Sequence, residues 1–333
     1  MYYRDKIKTL EEIFGTTQII LKSDTLIAGN KRYPIVSDVI ILSDPSQYSD
    51  FVRKELCLDV NGAKNVRDEK FAEDIQYTFG AEWKQYDKIL PEHEKEFSQN
   101  FDIVDLSALR NSRLCDLGCG NGRWSYYLND ICSEIVLVDF SDAIFVARKN
   151  LSNANNCLFF MCDLKGLPFT NNFADFLFCI GVLHTLPTPC LSEVRNFKNL
   201  APEILIYNYY SLDNRPVHFR IFLKAVTFLR LRVSKIRNPD FRRIFSLAVT
   251  LVIYEPFIFI GRLLKPLKLD KHVPLYEGNC GKSVTRVQQD TYDRFFTGIE
   301  QRVSRKDILK LHDTFSSVTI SPNRPYWHFL CKR

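Results

Sequence analysis

The chain is 333 residues long, 46% hydrophobic and 25% charged. This is ordinary globular composition with ample core, which excludes a disordered or fibrous protein, and the length favours one large domain with insertions or two domains. The net charge is +6, residues 1–6 are polar rather than signal-like, and none of the ten cysteines forms a C-x-x-C pair, so neither a zinc ribbon nor a thioredoxin site is supported and no metal is expected. Several cysteines fall inside apolar segments (Cys157, Cys162, Cys179), and buried free thiols suggest a reducing, cytoplasmic setting.

In chain order, residues 18–44 alternate between apolar and polar, with turn signals at Ala28-Gly29-Asn30 and Ser43-Asp44-Pro45. They read as a small β unit within residues 1–50. Residues 51–105 form a polar lead-in of helical character that contains Tyr77-Thr78-Phe79-Gly80-Ala81-Glu82-Trp83. A short apolar strand then enters at Arg113-Leu114-Cys115 and ends on Asp116. Gly118, Gly120 and Gly122 follow at alternate positions, and a helix can begin at Arg123. A strand, a glycine-rich turn and a helix N-terminus together make a nucleotide-binding site, because glycine adopts φ > 0 and lets the backbone approach a ligand closely. The spacing is G-x-G-x-G rather than the G-x-G-x-x-G of dinucleotide loops, and an acid precedes it. A carboxylate at Asp116 would repel a pyrophosphate and suits a ligand bearing an ammonium or sulfonium. Residues 134–139 form a second strand ending on Asp139, 21 residues after Gly118, close to the ~20 expected of a ribose-binding carboxylate. A carboxylate can accept from both of two adjacent hydroxyls. A helix over 142–150 leads to a third apolar strand, 157–162, which again ends on an acid, Asp163. The fourth strand is 174–180 and the fifth 203–210, with a helix over 191–200 between them, opened by Thr188-Pro189 as N-cap and first-turn proline. Ser304-Arg305-Lys306-Asp307 is a capping box before a helix to about Thr314, and 318–320 and 326–330 are the last two strands. Seven strands with helices between the first five imply an α/β fold with a doubly wound parallel sheet covered on both faces.

Asp116-Leu117-Gly118-Cys119-Gly120-Asn121-Gly122 resembles the first motif of class I S-adenosylmethionine-dependent methyltransferases. The resemblance implies a seven-stranded Rossmann-like sheet whose final two strands form a hairpin with one antiparallel member, S-adenosylmethionine as methyl donor, and methyltransferase activity. It assigns the donor to Asp116, Gly118, Cys119, Gly120, Asn121 and Gly122 in the loop, to Asp139 with Phe140 at the ribose, to Asp163 with Leu164 at the adenine, and to Ile180 at the end of the fourth strand. Cys115 and Cys119 also read as small packing residues. Related methyltransferases carry an aromatic-Gly-x-x-Trp segment like that at 79–83, which would close over the donor with Trp83 near its methionine end; the alternative is a Trp packing a helix onto the sheet. After the fourth strand, Gly181-Val182-Leu183-His184-Thr185-Leu186-Pro187 resembles the Val-Leu-His-His-Leu stretch of the small-molecule branch of the family. His184 occupies the first His position and is a candidate catalytic base, the alternative being a His that fixes its loop through a backbone hydrogen bond. Tyr209, Tyr210, Tyr276, Tyr292 and Asp293 are further cleft candidates. Residues 31–42 resemble the end of a short zinc-ribbon-like domain, here without cysteines and so without its metal site.

Residues 215–271 interrupt the sheet and carry thirteen Lys and Arg against three Asp and Glu, so a charge of +10 is local and the remainder is −4. Apolar residues are interleaved with the cations, and 244–261 run almost wholly apolar. That run falls short of the ~20 residues of a transmembrane helix, and Glu255-Pro256 interrupts its second half. The segment reads as a helical lid, 215–285, over the active site, or as a basic amphipathic helix pair in peripheral contact with an anionic, inner membrane face. Nucleic acid is disfavoured as a partner. The basic segment lacks an RNA-recognition signature, its aromatics are Phe in apolar clusters, and no Asn/Asp-Pro-Pro-aromatic motif follows the fourth strand. Pro189-Cys190, which would suit a cytosine-C5 enzyme, sits at a helix start without a partner Glu-Asn-Val motif. The expected function is therefore transfer of a methyl group from S-adenosylmethionine to a small molecule, such as a sugar or lipid-linked intermediate, by a domain at 106–333. The alternatives are a tRNA or protein methyltransferase docking through the basic insertion, and a non-catalytic S-adenosylmethionine-binding partner subunit.

Overall fold

A computed structural model describes residues 1–58, 76, 78–323 and 326–333. Residues 59–75 of the expected helical lead-in, Tyr77, and the end of the link at 324–325 lie outside the described residues. The strands are β1 (Ile19–Leu21), β2 (Thr25–Ala28), β3 (Lys31–Val36), β4 (Val39–Ile41), β5 (Arg113–Leu117), β6 (Glu134–Asp139), β7 (Cys157–Met161), β8 (Phe176–Ile180), β9 (Glu203–Tyr207), β10 (Ser317–Ile320) and β11 (Phe329–Lys332). They form one sheet in the order β1-β2-β3-β4-β7-β6-β5-β8-β9-β11-β10. From β7 to β9 all pairings are parallel, β11 runs antiparallel to β9, and β10 antiparallel to β11. Every residue of β7 and β8 is buried, as expected of parallel strands covered on both faces. The expected α/β sheet with a final antiparallel hairpin is present.

Several boundaries differ from the sequence reading; the fourth strand begins at Phe176 rather than Ala174, and the fifth ends at Tyr207 rather than Tyr210. The last strand begins at Phe329 rather than Tyr326, because Tyr326 turns inward, its ring packing edge-on against Tyr207 and Tyr210. The helix after β8, Cys190–Asn196, is not capped by Thr188: Pro189 holds the N-cap position, and the amide of Cys190 donates instead to Gln301 Oε1 at 3.1 Å. The N-terminal β unit is not set apart from the core. β4 pairs in parallel with β7, Ile40 opposite Phe160 and Ile41 opposite Met161, so the meander extends the central sheet. The Tyr3 hydroxyl pins this junction, donating to the Asp38 carbonyl at 2.7 Å and accepting from the Phe159 amide at 3.2 Å.

The segment between β9 and β10 forms helices Val217–Val233, Pro239–Val249 and Glu255–Leu264, then Val284–Phe296. The apolar stretch is longer than the sequence suggests. Residues 239–267 form one helical run of 29 residues that is, by length and composition, long and apolar enough to cross a membrane. Pro256 does not break it, because a π-helical turn, Thr250–Tyr254, precedes the proline and places it in the first turn of the following α segment. One side of the run is committed to protein. Arg242, Ser246, Val249, Thr250, Tyr254, Ile258 and Gly261 are buried. The ring of Phe245 meets Phe295 and Phe296, and Thr250 hydrogen-bonds Thr291 at 3.1 Å.

Candidate active site

β5 lies where the strand order reverses, with β6 on one side and β8 on the other, and its C-terminal end opens a crevice of the kind in which open α/β sheets bind ligands. The loop that follows has φ of +75° at Gly118 and +55° at Gly120. A Cβ at Gly118 would lie 2.4 Å from Val182 Cγ2, and one at Gly120 2.8 Å from the Trp83 indole. Only glycine combines this conformation with these close approaches. The loop is held from the neighbouring strand: Asp139 Oδ2 accepts from the Gly120 amide at 2.8 Å, while Oδ1 accepts from the amide and hydroxyl of Ser141 at 2.8 and 2.7 Å.

The crevice is a cavity of about 870 Å³. Gly118, Gly120, Asp139, Phe140, Asp163, Leu164, Ile180, Trp83 and His184, all singled out from the sequence, line it. Trp83, on the helical stretch 78–85, lies against Gly120 and so faces the loop. Asp163 closes its own turn by accepting from the Lys165 amide at 3.0 Å. Four expected ligand residues stand behind the wall. Asp116 is buried, accepts a hydrogen bond from the Ser125 hydroxyl at 2.7 Å, and is pushed up to about 7 by burial, so it braces the loop rather than meeting a cation. Cys119 packs in the apolar layer beneath the loop. Asn121 donates to the Tyr86 carbonyl, and a Cβ on Gly122 would press on Ala147, so both join the loop to its surroundings.

The far end of the cavity is built by distant segments. Tyr209 donates to Asp293 Oδ2 at 2.8 Å, and its ring stacks on His184 with centroids 3.8 Å apart. Burial holds the His184 imidazole down to about 3, and its Nδ1 has no partner among the described residues. Burial raises Asp293, and raises Glu82 well above the carboxylate range; Glu82 Oε2 has no partner among the described residues. Tyr207, Tyr254, Arg294 and Tyr326 complete this end. Of the tyrosines proposed from the sequence, Tyr209 lines the cavity, whereas Tyr210, Tyr276 and Tyr292 pack behind it.

Sequence reasoning did not single out Arg123. Its guanidinium lies 5.1 and 4.5 Å from the ring centres of Trp83 and Trp124, on the cavity wall, and burial and Arg286 lower its pKa. The signal was available in its position, the first residue of the helix after the glycine loop. A second group closes the roof. Lys282 contacts Glu96 and Asp290 at 2.8 Å, and Arg286 contacts Glu96 at 3.0 Å and also Asp290. Burial opposes the charge on Glu96, yet Arg286 and Lys282 hold it down to about 2. This network joins helix Glu92–Asn100 to helix Val284–Phe296 across the cavity.

Counting β5 as the first core strand, the order 3-2-1-4-5-7-6, with a glycine loop after strand one and an acid ending strand two, defines a class I S-adenosylmethionine-dependent methyltransferase domain. Residues 114–200 match the family described as a methyltransferase domain. It is similar to the tRNA U34 carboxymethyltransferase of Trichodesmium erythraeum, with 25% identity over 144 residues; the match covers 41% of this chain and 40% of that protein's length. Among solved structures, an Aquifex aeolicus SAM-dependent methyltransferase shows 18% identity and a TM-score of 0.34, covering 41% of this chain and 77% of that one. Haemonchus contortus phosphoethanolamine N-methyltransferase 1, solved with phosphoethanolamine and S-adenosylhomocysteine, shows 18% identity and a TM-score of 0.36, covering 44% and 34%.

Proposed function

We propose that the protein transfers a methyl group from S-adenosylmethionine to a small-molecule acceptor, such as a sugar or lipid-linked intermediate. The observation that carries this reading is one continuous cavity that joins the glycine loop to the Tyr209–Asp293 end. The donor end fits the methyl donor. Asp139 reaches the cavity with lone pairs beyond its three backbone and hydroxyl contacts and would accept from ribose hydroxyls. Arg123 offers a cation for an amino-acid carboxylate, and Asp163 with the Leu164 backbone faces the position of a base. When bound, S-adenosylmethionine supplies an electrophilic methyl group on a sulfonium.

The protein's part is then mostly placement, holding an acceptor in line with the methyl group. Aromatic walls from Tyr207, Tyr209, Tyr254 and Tyr326, with Arg294 and Asp293 between them, suit a polar ring with hydroxyl groups. Asp293 takes the acceptor's proton, because burial makes it a stronger base than a surface carboxylate. His184 is a weak base with its pKa near 3, and acts as a neutral hydrogen-bonding group through Nδ1.

Calorimetry with S-adenosylhomocysteine, paired with a methyl-transfer screen of candidate acceptors, tests this. Wild type binds, Asp139→Ala binds at least about tenfold more weakly for loss of a charged hydrogen-bonding group, and Asp293→Asn binds normally but loses turnover. Equal binding by wild type and Asp139→Ala would sink the donor assignment. A tRNA acceptor is the second reading, favoured by the tRNA-modifying relative; salt-sensitive tRNA binding with methyl incorporation into RNA would select it.

A further inference from the structure

We infer that the outer face of the insertion docks on an anionic lipid bilayer, lying in its surface without crossing it. The face is apolar to a degree unusual for an exposed surface. On helix Val217–Val233, Val217, Ile221, Phe228 and Leu231 are exposed at intervals of three, four and seven residues, which places them along one stripe. On the 239–267 run, Ile244, Leu251, Val252, Phe259, Ile260, Leu263 and Leu267 are exposed, Ile244 by 67% and Val252 by 74%. Contiguous apolar surface of this extent marks an interaction site.

The charge of the same segment selects the partner. Of its thirteen Lys and Arg residues, Arg215, Arg230 and Arg242 are buried, Arg215 on Glu277 and Arg230 on the Thr297 carbonyl. The other ten, including Arg220, Lys224, Arg232, Lys235, Arg243, Arg262, Lys265, Lys268 and Lys271, are exposed beside the apolar stripes. Only three acids share the segment. Protruding aliphatic side chains set among cations match the boundary of a bilayer, where acyl chains take the apolar groups and anionic headgroups take the charge. A second copy of this chain would bring like charges together, and a nucleic acid would leave Val, Ile and Leu without apolar partners.

Docking in the plane follows from the opposite side of the same helices. A spanning helix needs lipid or apolar partners all round, but Arg242, Ser246, Thr250 and Tyr254 face the protein. Tyr254 and residues 277–282 also line the cavity roof, so the bilayer face and the roof are two sides of one layer.

Flotation of the full-length protein with vesicles provides the test. Wild type should float with vesicles of equal parts phosphatidylglycerol and phosphatidylcholine, release in high salt, and stay behind with phosphatidylcholine alone. Lys265→Gln and Lys268→Gln should each weaken partitioning about fivefold, the factor for roughly 1 kcal/mol per cation. Ile244→Glu with Phe259→Glu should abolish flotation while the melting midpoint and S-adenosylhomocysteine binding stay as in wild type. Those two controls separate a failed surface from a failed fold, and they keep the inference independent of the acceptor. Absence of flotation with anionic vesicles at low salt overturns it. So does retention that only detergent reverses, which would mean a span. A wild-type dimer that the double glutamate variant splits would also overturn it, because the face would then join two copies.

Discussion

Asp116 shows how burial can reverse a residue's apparent purpose. Next to the glycine loop it has the look of a cation ligand, yet it lies behind the wall, bonded to Ser125 and raised to about 7 by desolvation. Its proton is held more tightly in the folded chain than in the unfolded one, where a carboxyl titrates near 4. The folded state therefore binds more protons between about pH 4 and pH 7, and stability falls as pH rises through that window, by up to roughly 1.4 kcal/mol per pH unit. Asp116→Asn keeps an acceptor for Ser125 and removes the titration. Urea unfolding should show the variant gaining on wild type between pH 5 and pH 7.5; a constant difference across that range would refute the assignment. What was legible at this scale was local. Gly118, Gly120 and Asp139 belong to one strand–loop–helix–strand unit, and spacing alone exposes them. Glu82, Tyr209 and Asp293 meet only after folding, from segments separated by more of the chain than any motif spans.

Between elements, the insertion is held by close packing as well as by charge. Gly261, in helix Glu255–Leu264, lies so near Tyr276 that a Cβ would sit 2.1 Å from its ring. Tyr276 is itself buried and begins a short helix, Tyr276–Asn279, at the edge of the roof. Gly261→Ala gains about 1 kcal/mol of helix propensity, but overpacking costs about 1–3 kcal/mol, and contact at the root of a buried ring lies at the upper end. Thermal unfolding should show a net loss near 2 kcal/mol, against no loss in Gly298→Ala, where a Cβ meets nothing. An unchanged midpoint in Gly261→Ala would mean that this contact does not hold the roof. Sequence reading located the insertion and its basic charge, because both are compositional. Read from the sequence, the apolar run spans 244–261 with Glu255-Pro256 as an interruption, whereas the π turn at Thr250–Tyr254 carries the helix through the proline. Such a turn depends on packing along Val284–Phe296 and has no sequence signature of its own.

For the molecule as a whole, the question is whether residues 1–50 fold as an appendage or as part of one sheet. The alternation of residues 18–44 identifies strands, but it cannot disclose that β4 lies beside β7, about 120 positions later. The pairing matters because β7 is otherwise the edge of the methyltransferase sheet, and an open apolar edge invites pairing with other chains. The meander fills it, and Tyr3 fastens the junction through the Asp38 carbonyl and the Phe159 amide. Replacing Tyr3 with Phe keeps the ring and strands the buried Phe159 donor, which costs about 1–3 kcal/mol. If the eleven strands unfold as one unit, denaturant curves followed by tryptophan fluorescence and by far-ultraviolet circular dichroism should coincide in wild type. Trp83, Trp124 and Trp327 all lie outside residues 1–50, so fluorescence reports the part around the cavity while dichroism reports the whole chain. Tyr3→Phe should then move both curves together to lower denaturant. A dichroism change that precedes the fluorescence change would show the meander melting first, and the N-terminal unit would be an appendage after all.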